Sequence, residues 1–549
     1  MSLVLPLIVT ALFIFRGAIE SGSTVKCDDP IVTTEYGTIK GNRKNESGFV
    51  FDEFLGIRYG KIPERFKFSR VNEEKWTGIL NATDYGPECK QLRSPNSVED
   101  CLFINIWRPL ISNKETRLPV FLWVHGSGFQ IGSGALNPGN MLASYGNMIV
   151  ATINYRLGSL GYAFGDLEEM PGNQGVSDVT TALYWVNENI VHFGGDPDQV
   201  TLAGHSAGSM IASLPTLLRS ERPWSLYSRL LLSSGVSYGP MFIEDTSISL
   251  AKTKLLASKV GCGSATPGPL TSQTISCLRT VNASVLLEHK ATIKQIGSSD
   301  VAAFFPTCDR GTIRNFFDPF LKPYYTHDIK PQILFYLQKD ETSYSSIDLQ
   351  PTSKAEAYQM AWDKLSFIKK DLTQLQMQPF FEYYFNDTRD NDNRSLRSAL
   401  SEFLNDHTFR CTSLMLAQLY STNPDNSVRF AEFRYILDKY GQQNRPDGAW
   451  HDDVVELFFG EPFRGNNSNS YSNQDRKQSL RLMKSLADYA YGKEPDNWPK
   501  LHFDYLNPEK EPIVREINFK DRNVEYSKQH ICLEWSKLLD YDITNYIHP

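Results

Sequence analysis

The chain alternates short apolar segments with helical ones, and this pattern constrains its fold more than any other feature. In the segment 176–192, Val176, Val179 and Leu183 repeat at helical spacing behind the turn residues 172–175. The apolar segments are rich in Val, Ile, Leu and Phe, which is typical of strands buried on both faces. Such alternation predicts an α/β fold with a central, mostly parallel sheet and helices on both faces. The predicted strands are residues 120–124, 148–154, 200–203, 229–233, 333–337 and 428–436.

The chain has 549 residues, a length that by itself suggests several domains. No segment of about 20 to 50 residues repeats, which excludes solenoids and propellers. The polar stretches 386–395 and 464–478 are predicted to be exposed loops, and neither has the length or composition of an interdomain linker. We therefore expect residues 24–549 to form a single domain.

The charge balance argues against a nucleic-acid partner. Lys and Arg total 56 against 63 Asp and Glu, which leaves a net charge of −7. Proteins that bind nucleic acids need a basic stripe on their surface, and a mildly acidic chain is not expected to provide one.

The amino end is interpreted as a secretory signal peptide, residues 1–23, with cleavage before Cys27. Residues 3–15 are almost continuously apolar but too short to span a bilayer comfortably. An uncleaved anchor or a buried helix is the alternative. No later run approaches the ~20 apolar residues of a membrane span, and the carboxyl end carries neither an ER-retention tetrapeptide nor an apolar anchor tail. We therefore expect free secretion without a stable membrane anchor.

Two further features fit an exported protein. The eight cysteines include no C-x-x-C pair, so the sequence favours disulfides over a structural zinc site, although spacing alone does not determine which cysteines pair. N-glycosylation acceptors also occur in polar stretches. These acceptors are Asn45, Asn81, Asn282, Asn386, Asn393 and Asn466.

The pentapeptide GHSAG, residues 204–208, follows the predicted strand 200–203 and precedes the helical run 209–218. A turn this tight needs flanking glycines, since side chains there would collide with the strand and the helix, and it leaves the Ser206 hydroxyl exposed. The context predicts the nucleophile elbow of a serine hydrolase. The alternative is an ordinary glycine-rich turn between a strand and a helix.

A nucleophilic serine needs a base, and an α/β-hydrolase fold supplies its partners in the chain order Ser, acid, His. Glu341 follows the predicted strand 333–337, with Asp340 as the competing acid. His451 follows the last predicted strand, 428–436, after a turn-rich loop. This order favours His451 as the base over a structural role. The other downstream histidines are His407, His502, His530 and His548.

The oxyanion of an acyl-transfer reaction needs backbone N–H donors aimed at one point. The turn His-Gly-Ser-Gly-Phe, residues 125–129, follows the predicted strand 120–124 and is of the type that supplies them. A simple glycine-rich connection is the alternative. We expect Ser127, Gly128 and Ala207 to donate to the oxyanion.

Several segments in the correct order resemble the type-B carboxylesterase and cholinesterase family over nearly the whole chain after the leader. Residues 99–107, EDCLFINIW, are similar to the family segment EDCLYLNIW, and NYRLG at 154–158 and FGGDP at 193–197 match two further signatures. The resemblance implies an α/β-hydrolase fold with large loop and helix insertions. It also implies a carboxylic-ester hydrolase that uses no metal and no cofactor, with a small-molecule or lipid ester as its substrate.

The resemblance also assigns residues. The segment KDE, 339–341, is similar to the family's acid segment, in which the second acid belongs to the triad, and this favours Glu341 over Asp340. GAWH, residues 448–451, is similar to the histidine segment. Ser234 resembles a serine that orients the acid. The resemblance implies the disulfides Cys89 to Cys101, Cys262 to Cys277 and Cys411 to Cys532; it favours a buried thiol at Cys308, and Cys27 is either unpaired or joined to a second chain.

Three departures from the family matter. Ser127 replaces a usual glycine of the oxyanion turn, and we expect its N–H to be well aimed without a strained backbone. His205 stands where cholinesterases carry glutamate. The loop between Cys89 and Cys101 is short and lacks the tryptophan with which cholinesterases hold choline, which favours a carboxylesterase over a cholinesterase.

We expect a secreted, glycosylated serine esterase in which Ser206 attacks the ester, His451 transfers the proton and Glu341 orients the imidazole. One alternative is an adhesion- or receptor-like family member in which the chemistry is weak or lost. Another is a lipase or hormone-esterase specialisation within the same chemistry.

Overall fold

The computed structural model describes residues 29–541 with several gaps. These gaps are residues 93, 111–115, 215–225, 240–241, 264–268, 295, 297–301, 309–330, 343–349, 370, 442–447, 496 and 505–506. The predicted signal peptide and Cys27 therefore lie outside the described residues. No helix in the described ranges is long and apolar enough to cross a membrane.

The strands of the described chain are short, and most lie in one sheet. They are β1 Ile31–Thr33, β2 Thr38–Lys40, β3 Asn42–Glu46, β4 Phe49–Arg58, β5 Gly60–Lys61, β6 Arg70–Val71, β7 Ile79–Asn81, β8 Phe103–Pro109, β9 Leu118–Val124, β10 Ile149–Ile153, β11 Phe164–Leu167, β12 Met170–Pro171, β13 Gly195–His205, β14 Arg229–Ser233, β15 Glu244–Asp245, β16 Thr307–Cys308, β17 Gln332–Gln338, β18 Ser427–Phe433, β19 Ile513–Ile517 and β20 Arg522–Glu525.

The main sheet has eleven strands in the order β20-β19-β18-β17-β14-β13-β9-β10-β8-β4-β3. Its centre, from β19 to β10, is parallel, whereas β20 at one edge and β8, β4 and β3 at the other pair antiparallel. The six predicted strands form the parallel centre together with β19. The sequence prediction of an α/β fold is confirmed, and the sheet is mixed at its edges.

Helices alternate with the central strands and fill the insertions. They are α1 Asn140–Gly146, α2 Gly158–Tyr162, α3 Gln174–Asn189, α4 Ala207–Ser213, α5 Thr246–Lys259, α6 Ser272–Thr280, α7 Ala283–Glu288, α8 Lys290–Ile293, α9 Lys354–Ile368, α10 Gln374–Phe385, α11 Asn393–Asn405, α12 Cys411–Ser421, α13 Asp453–Phe458, α14 Asn473–Ala490 and α15 Gln529–Leu538. A π-helical segment, Asp406–Arg410, joins α11 to α12, and 3₁₀ turns occupy Ile190–Phe193, Glu461–Phe463 and Asn466–Ser470.

Both faces of the central strands are buried, which explains why these strands are mostly apolar. Along β9, Val120 and Leu122 belong to a large apolar cluster that includes residues of α3. Their neighbours Phe121 and Trp123 face the other side and pack in a second cluster with residues of α14. Because successive side chains of a strand point to opposite faces, a strand covered by helices on both sides has few polar positions.

Two sequence predictions of exposed loops were wrong in part, because helices begin inside both segments. In 386–395, the Asp392 side chain accepts a hydrogen bond from the Ser395 N–H and caps α11. In 464–478, Ser472 and Asp475 form a reciprocal capping box that starts α14. A polar first turn is the normal start of a surface helix, since its free N–H groups need acceptors.

Three disulfides connect six of the seven described cysteines in the pairs that the family resemblance implied: Cys89 with Cys101, Cys262 with Cys277, and Cys411 with Cys532. Cys308 lies in β16 and is half-buried. This corrects the expectation of a buried thiol: β16 is a two-residue strand that pairs with β15, outside the main sheet.

We expect the disulfide between Cys411 and Cys532 to stabilise the fold more than the one between Cys262 and Cys277. It closes 121 residues rather than 15, so its loss frees more chain entropy in the unfolded state, and we expect it to cost about 2 to 5 kcal/mol. Urea unfolding of the two double Cys→Ser variants measures both losses, after peptide mapping without reduction has verified the pairs. A larger loss for the 15-residue loop would contradict the expectation.

Candidate active site

Ser206 lies at a sharp turn between β13 and α4. Its backbone has φ 53° and ψ −126°, a conformation that few residues other than glycine adopt. A Cβ added at Gly204 would lie 2.4 Å from the backbone of Gly208, and a Cβ added at Gly208 would lie 2.1 Å from the Val124 carbonyl oxygen. Both positions therefore require glycine. The geometry is the strand-turn-helix arrangement of a nucleophile elbow.

The glycine-rich turn that follows β9 packs directly against this elbow. A Cβ added at Gly126 would lie 3.0 Å from the Cβ of Ser206. The Tyr155 hydroxyl donates to the His125 carbonyl oxygen at 2.8 Å, and the Tyr155 ring stacks on the imidazole with the ring centroids 4.4 Å apart. The start of the turn is therefore held rigidly beside the serine.

Three consecutive residues of this turn, Ser127, Gly128 and Phe129, have left-handed backbone, with φ of 74°, 63° and 61°. The Phe129 carbonyl oxygen accepts a hydrogen bond from the Gly158 N–H at 2.7 Å, which fixes the far end of the turn. In the described part of the chain, no loop or cap hydrogen bond between backbone groups uses the N–H of Ser127, Gly128 or Ala207. These are the groups that the sequence predicts as oxyanion donors.

The expectation of an unstrained Ser127 was wrong. With φ at 74°, its side chain occupies a backbone conformation that glycine adopts without cost, and such positions store about 1 to 3 kcal/mol. The strain arises because the Cβ of a non-glycine residue crowds the backbone at positive φ. Ser127 is exposed, so its side chain is not held in place by packing against the core.

We expect Ser127→Gly to raise the thermal stability and to change kcat by less than tenfold. Glycine relieves the strain but adds freedom to the unfolded chain, so the net gain is about 1 kcal/mol. Differential scanning calorimetry measures the stability, and phenyl acetate hydrolysis with titrated active sites measures kcat. A tenfold gain in kcat would show that the Ser127 N–H is misaimed in the native turn.

His451 and Glu341 form a buried hydrogen-bonded pair. The His451 Nδ1 lies 2.6 Å from Glu341 Oε2, and Glu341 is 0% exposed. The other oxygen of Glu341, Oε1, accepts the Gln338 N–H at 2.6 Å. A β-bridge between Asp340 and Trp450 holds the two segments side by side. Both carboxylate oxygens of Glu341 therefore have fixed partners, and the imidazole is oriented by one of them.

Asp340, the competing acid, is held by a different partner. The Ser401 hydroxyl on α11 donates to Asp340 Oδ1 at 2.7 Å. Asp340 is also linked to the histidine segment, because its backbone N–H donates to the Ala449 carbonyl oxygen at 2.9 Å, but this bond does not involve its carboxylate. The geometry thus favours Glu341 as the partner of His451.

Opposing effects act on the imidazole of His451. Burial lowers the pKa of His451, but the hydrogen bond and charge of Glu341 and the charge of Asp452 outweigh burial and raise this pKa above the ordinary histidine value of 6.5. The Phe409 ring, whose centroid lies 5.1 Å from that of the imidazole, covers one side of His451.

The competing histidines do not resemble a catalytic base. His407 lies in the π-helical segment, where its Nδ1 donates to the Phe403 carbonyl oxygen at 2.9 Å and burial lowers its pKa to about 4. His502 and His530 are exposed. His548 lies outside the described residues.

Residues 28–532 match the sequence profile described as the carboxylesterase family. The chain belongs to the carboxylesterase family. It is therefore a carboxylic-ester hydrolase with an α/β-hydrolase fold, and its substrates are esters.

Relatives of this esterase include carboxylesterases and cholinesterases. The chain is 30% identical to Acetylcholinesterase-1 of Trittame loki, over 86% of this chain and 88% of that protein. It is 26% identical to Carboxylesterase 4A of Bos taurus, over 87% and 90% respectively. It is 28% identical to the acetylcholinesterase of Bungarus fasciatus, over 92% and 86% respectively.

Ser234 is connected to Glu341 through Gln338. Its hydroxyl accepts a hydrogen bond from the Gln338 side-chain amide, and the Gln338 backbone N–H donates to Glu341 Oε1 at 2.6 Å. Ser234 and Glu341 are both fully buried. Ser234 therefore holds the side chain of the residue whose backbone positions the carboxylate.

The contacts of His205 are the main feature of the site that the sequence did not predict. Its ring centroid lies 4.6 Å from that of His451. Its Nδ1 lies 3.2 Å from Ser233 Oγ, and its Nε2 lies 2.9 Å from Asp452 Oδ1. Burial lowers the pKa of His205, against the opposing effect of Asp452. The position beside Ser206 was the only sequence signal, because Asp452 is 247 residues away along the chain.

Proposed function

We propose that the chain hydrolyses carboxylic esters through an acyl-enzyme on Ser206, with His451 as the base and Glu341 as the residue that orients it. The observation that carries this proposal is the 2.6 Å hydrogen bond between His451 Nδ1 and Glu341 Oε2. With the Nδ1 proton held by Glu341, the lone pair of the imidazole lies on Nε2, as proton abstraction from a serine requires.

Each step follows from these roles. The Ser206 oxygen bonds to the ester carbonyl carbon while His451 Nε2 takes the serine proton, and the carbonyl oxygen becomes an oxyanion that accepts from Ser127, Gly128 and Ala207. The bond to the alcohol oxygen then breaks, and that oxygen receives the proton from His451. Water repeats the sequence on the acyl-enzyme and releases the carboxylic acid and free Ser206.

We expect kcat/KM to fall at acidic pH with a midpoint above 6.5, because His451 acts as a base only when its imidazole is neutral and its pKa is raised above that value. Below the midpoint the rate should fall about tenfold per pH unit. A pH series on a neutral ester measures the profile. A flat profile between about pH 5 and 8 would exclude histidine as the limiting base.

We infer that the substrates are uncharged carboxylic esters rather than choline esters. The chain between Cys89 and Cys101 spans 12 positions and has no tryptophan to hold a quaternary ammonium group. A cation–π contact of that kind is worth up to about 2 kcal/mol, or roughly thirtyfold in affinity.

A panel of esters with increasing acyl length, including choline esters and long-chain lipid esters, tests this inference. We expect neutral short or medium esters to have the highest kcat/KM, and Ser206→Ala provides the blank. A preference for choline esters would contradict the inference, and a preference for long acyl chains would favour the lipase alternative.

Secretion and glycosylation are part of the proposal. Three disulfides are typical of proteins that fold in an oxidising compartment. Five of the six acceptor asparagines have exposed side chains: Asn45, Asn81, Asn282, Asn386 and Asn393. Expression of the full chain in eukaryotic cells should release into the medium a protein whose mass falls on endoglycosidase treatment.

A further inference from the structure

His205, His451 and Asp452 bring three metal-binding side chains together at the edge of the proposed active site. One donor atom from each lies within 4.8 Å of the others, and among the described residues this is the one such group. Both histidines are almost fully buried, whereas the Asp452 side chain is 80% exposed. A cation from solvent would therefore reach the two imidazoles past an exposed carboxylate.

The hydrogen bonds of both rings favour metal binding through Nε2. His451 Nδ1 is held by Glu341 Oε2, and His205 Nδ1 lies 3.2 Å from Ser233 Oγ. A histidine that ligates a metal through one nitrogen commonly donates its other N–H to a carboxylate or another oxygen, which fixes the ring. Here the partners of the two Nδ1 atoms, Glu341 Oε2 and Ser233 Oγ, are already in place.

The donor atoms lie within reach of a small tetrahedral ion. Zinc binds imidazole nitrogen and carboxylate oxygen at about 2.0 to 2.2 Å, so neighbouring ligand atoms of a tetrahedral site lie about 3.3 Å apart. The distance from His205 Nε2 to Asp452 Oδ1 is 2.9 Å. A metal ion would replace the proton that these two atoms share. Since the three donor atoms lie within 4.8 Å of one another, binding would also draw the most widely spaced pair together by up to about 1.5 Å.

We propose that His205, His451 and Asp452 form a binding site for a transition-metal dication such as Zn²⁺, and that the bound ion reversibly inhibits the esterase. The inhibitory part rests on the proposed role of His451. A metal on His451 Nε2 occupies the lone pair that takes the serine proton, so Ser206 can no longer be activated. Two imidazoles and one carboxylate leave a fourth position for water.

The first experiment titrates Zn²⁺ against hydrolysis of a neutral ester by the full-length enzyme, with Mg²⁺ in parallel. We expect Zn²⁺ to inhibit and EDTA to restore the rate, whereas Mg²⁺ has little effect because it prefers oxygen ligands. Asp452→Asn should raise the inhibitory Zn²⁺ concentration about tenfold or more, each variant being compared with its own metal-free rate. The matched control is Asp198→Asn, an exposed acid in β13 outside the site, which should keep the wild-type inhibitory concentration.

The second experiment measures Zn²⁺ binding by isothermal titration calorimetry, which does not depend on turnover. Wild type and Ser206→Ala should each bind one Zn²⁺ with similar affinity, and Asp452→Asn should bind at least about tenfold more weakly. Equal affinity in wild type and Asp452→Asn, or inhibition without binding at this site, would overturn the proposal. If the protein binds Zn²⁺ as expected but hydrolyses no ester, the metal site stands and the proposed function fails.

Discussion

Ser206→Ala should lower ester turnover by a factor on the order of 10⁴ or more and abolish covalent labelling by an organophosphate. The substitution removes the atom that forms the acyl-enzyme while His451, Glu341 and the oxyanion turn stay in place. The elbow itself should fold, since alanine adds no atom to a turn whose tight contacts are made by Gly204 and Gly208.

The matched control is Ser228→Ala. Ser228 precedes β14, and its hydroxyl donates to the Val200 carbonyl oxygen in β13, six residues before the elbow. This variant should keep wild-type turnover, and thermal unfolding of both variants excludes a general loss of structure. Substantial turnover by Ser206→Ala would mean that another group is the nucleophile. A wild-type protein that neither turns over esters nor takes the label would support the adhesion- or receptor-like alternative.

Six of the seven strands in the parallel centre of the sheet could be predicted from the sequence, because burial on both faces leaves a mostly apolar run. In β9 every residue is buried, and residues 200–204 of the neighbouring β13 and 230–232 of β14 are buried as well. The elbow was predictable for a related reason, since the steric demand at Gly204 and Gly208 leaves no other residue type at those positions.

The edges of the sheet could not be predicted in the same way. The strand β3 has the sequence Asn-Arg-Lys-Asn-Glu and no fully buried residue, so nothing in its composition distinguishes it from a loop. Likewise β20 is largely exposed. Such strands form because a neighbouring strand offers free backbone groups, which is information carried by the fold and not by the segment. For the same reason, His451 does not follow the last strand, since β19 and β20 come after it.

The details of the site depended on long-range contacts. Asp340 and Glu341 are adjacent in sequence, so chain order left both open; the family resemblance favoured Glu341, and the contacts with Ser401 and His451 support that choice. The position of His205 beside His451 follows from the same kind of contact. Order along the chain could identify the classes of residue in the site, but not which oxygen faces which nitrogen.

Glu341→Gln should lower kcat by about 10³ to 10⁴, the second largest effect that we expect. In the native site, Oε1 accepts the Gln338 N–H, so a glutamine at 341 would keep its carbonyl oxygen there and turn its NH₂ group toward His451. The amide would then donate to Nδ1 and force the imidazole proton onto Nε2, where a lone pair is needed. This wrong tautomer is what costs about 10⁴ when the triad acid of a serine protease is replaced by its amide.

A second readout separates this effect from a general loss of structure. The hydrogen bond and charge of Glu341 raise the pKa of His451 against the effect of burial, so the residual activity of Glu341→Gln should have its acidic midpoint at lower pH than wild type. The control for the adjacent acid is Asp340→Ala rather than Asp340→Asn, because asparagine at 340 would create the glycosylation acceptor Asn-Glu-Thr.

Asp340→Ala should lose stability, since the Ser401 hydroxyl loses its acceptor, yet keep kcat within about tenfold of wild type and leave the pH midpoint unchanged. Steady-state kinetics and urea unfolding of both variants measure these quantities. If Asp340→Ala lost as much activity as Glu341→Gln, or if the pH midpoint moved only in Asp340→Ala, then Asp340 would be the acid that orients His451. The hydrogen bonds of Glu341 would in that case hold the loop rather than the imidazole.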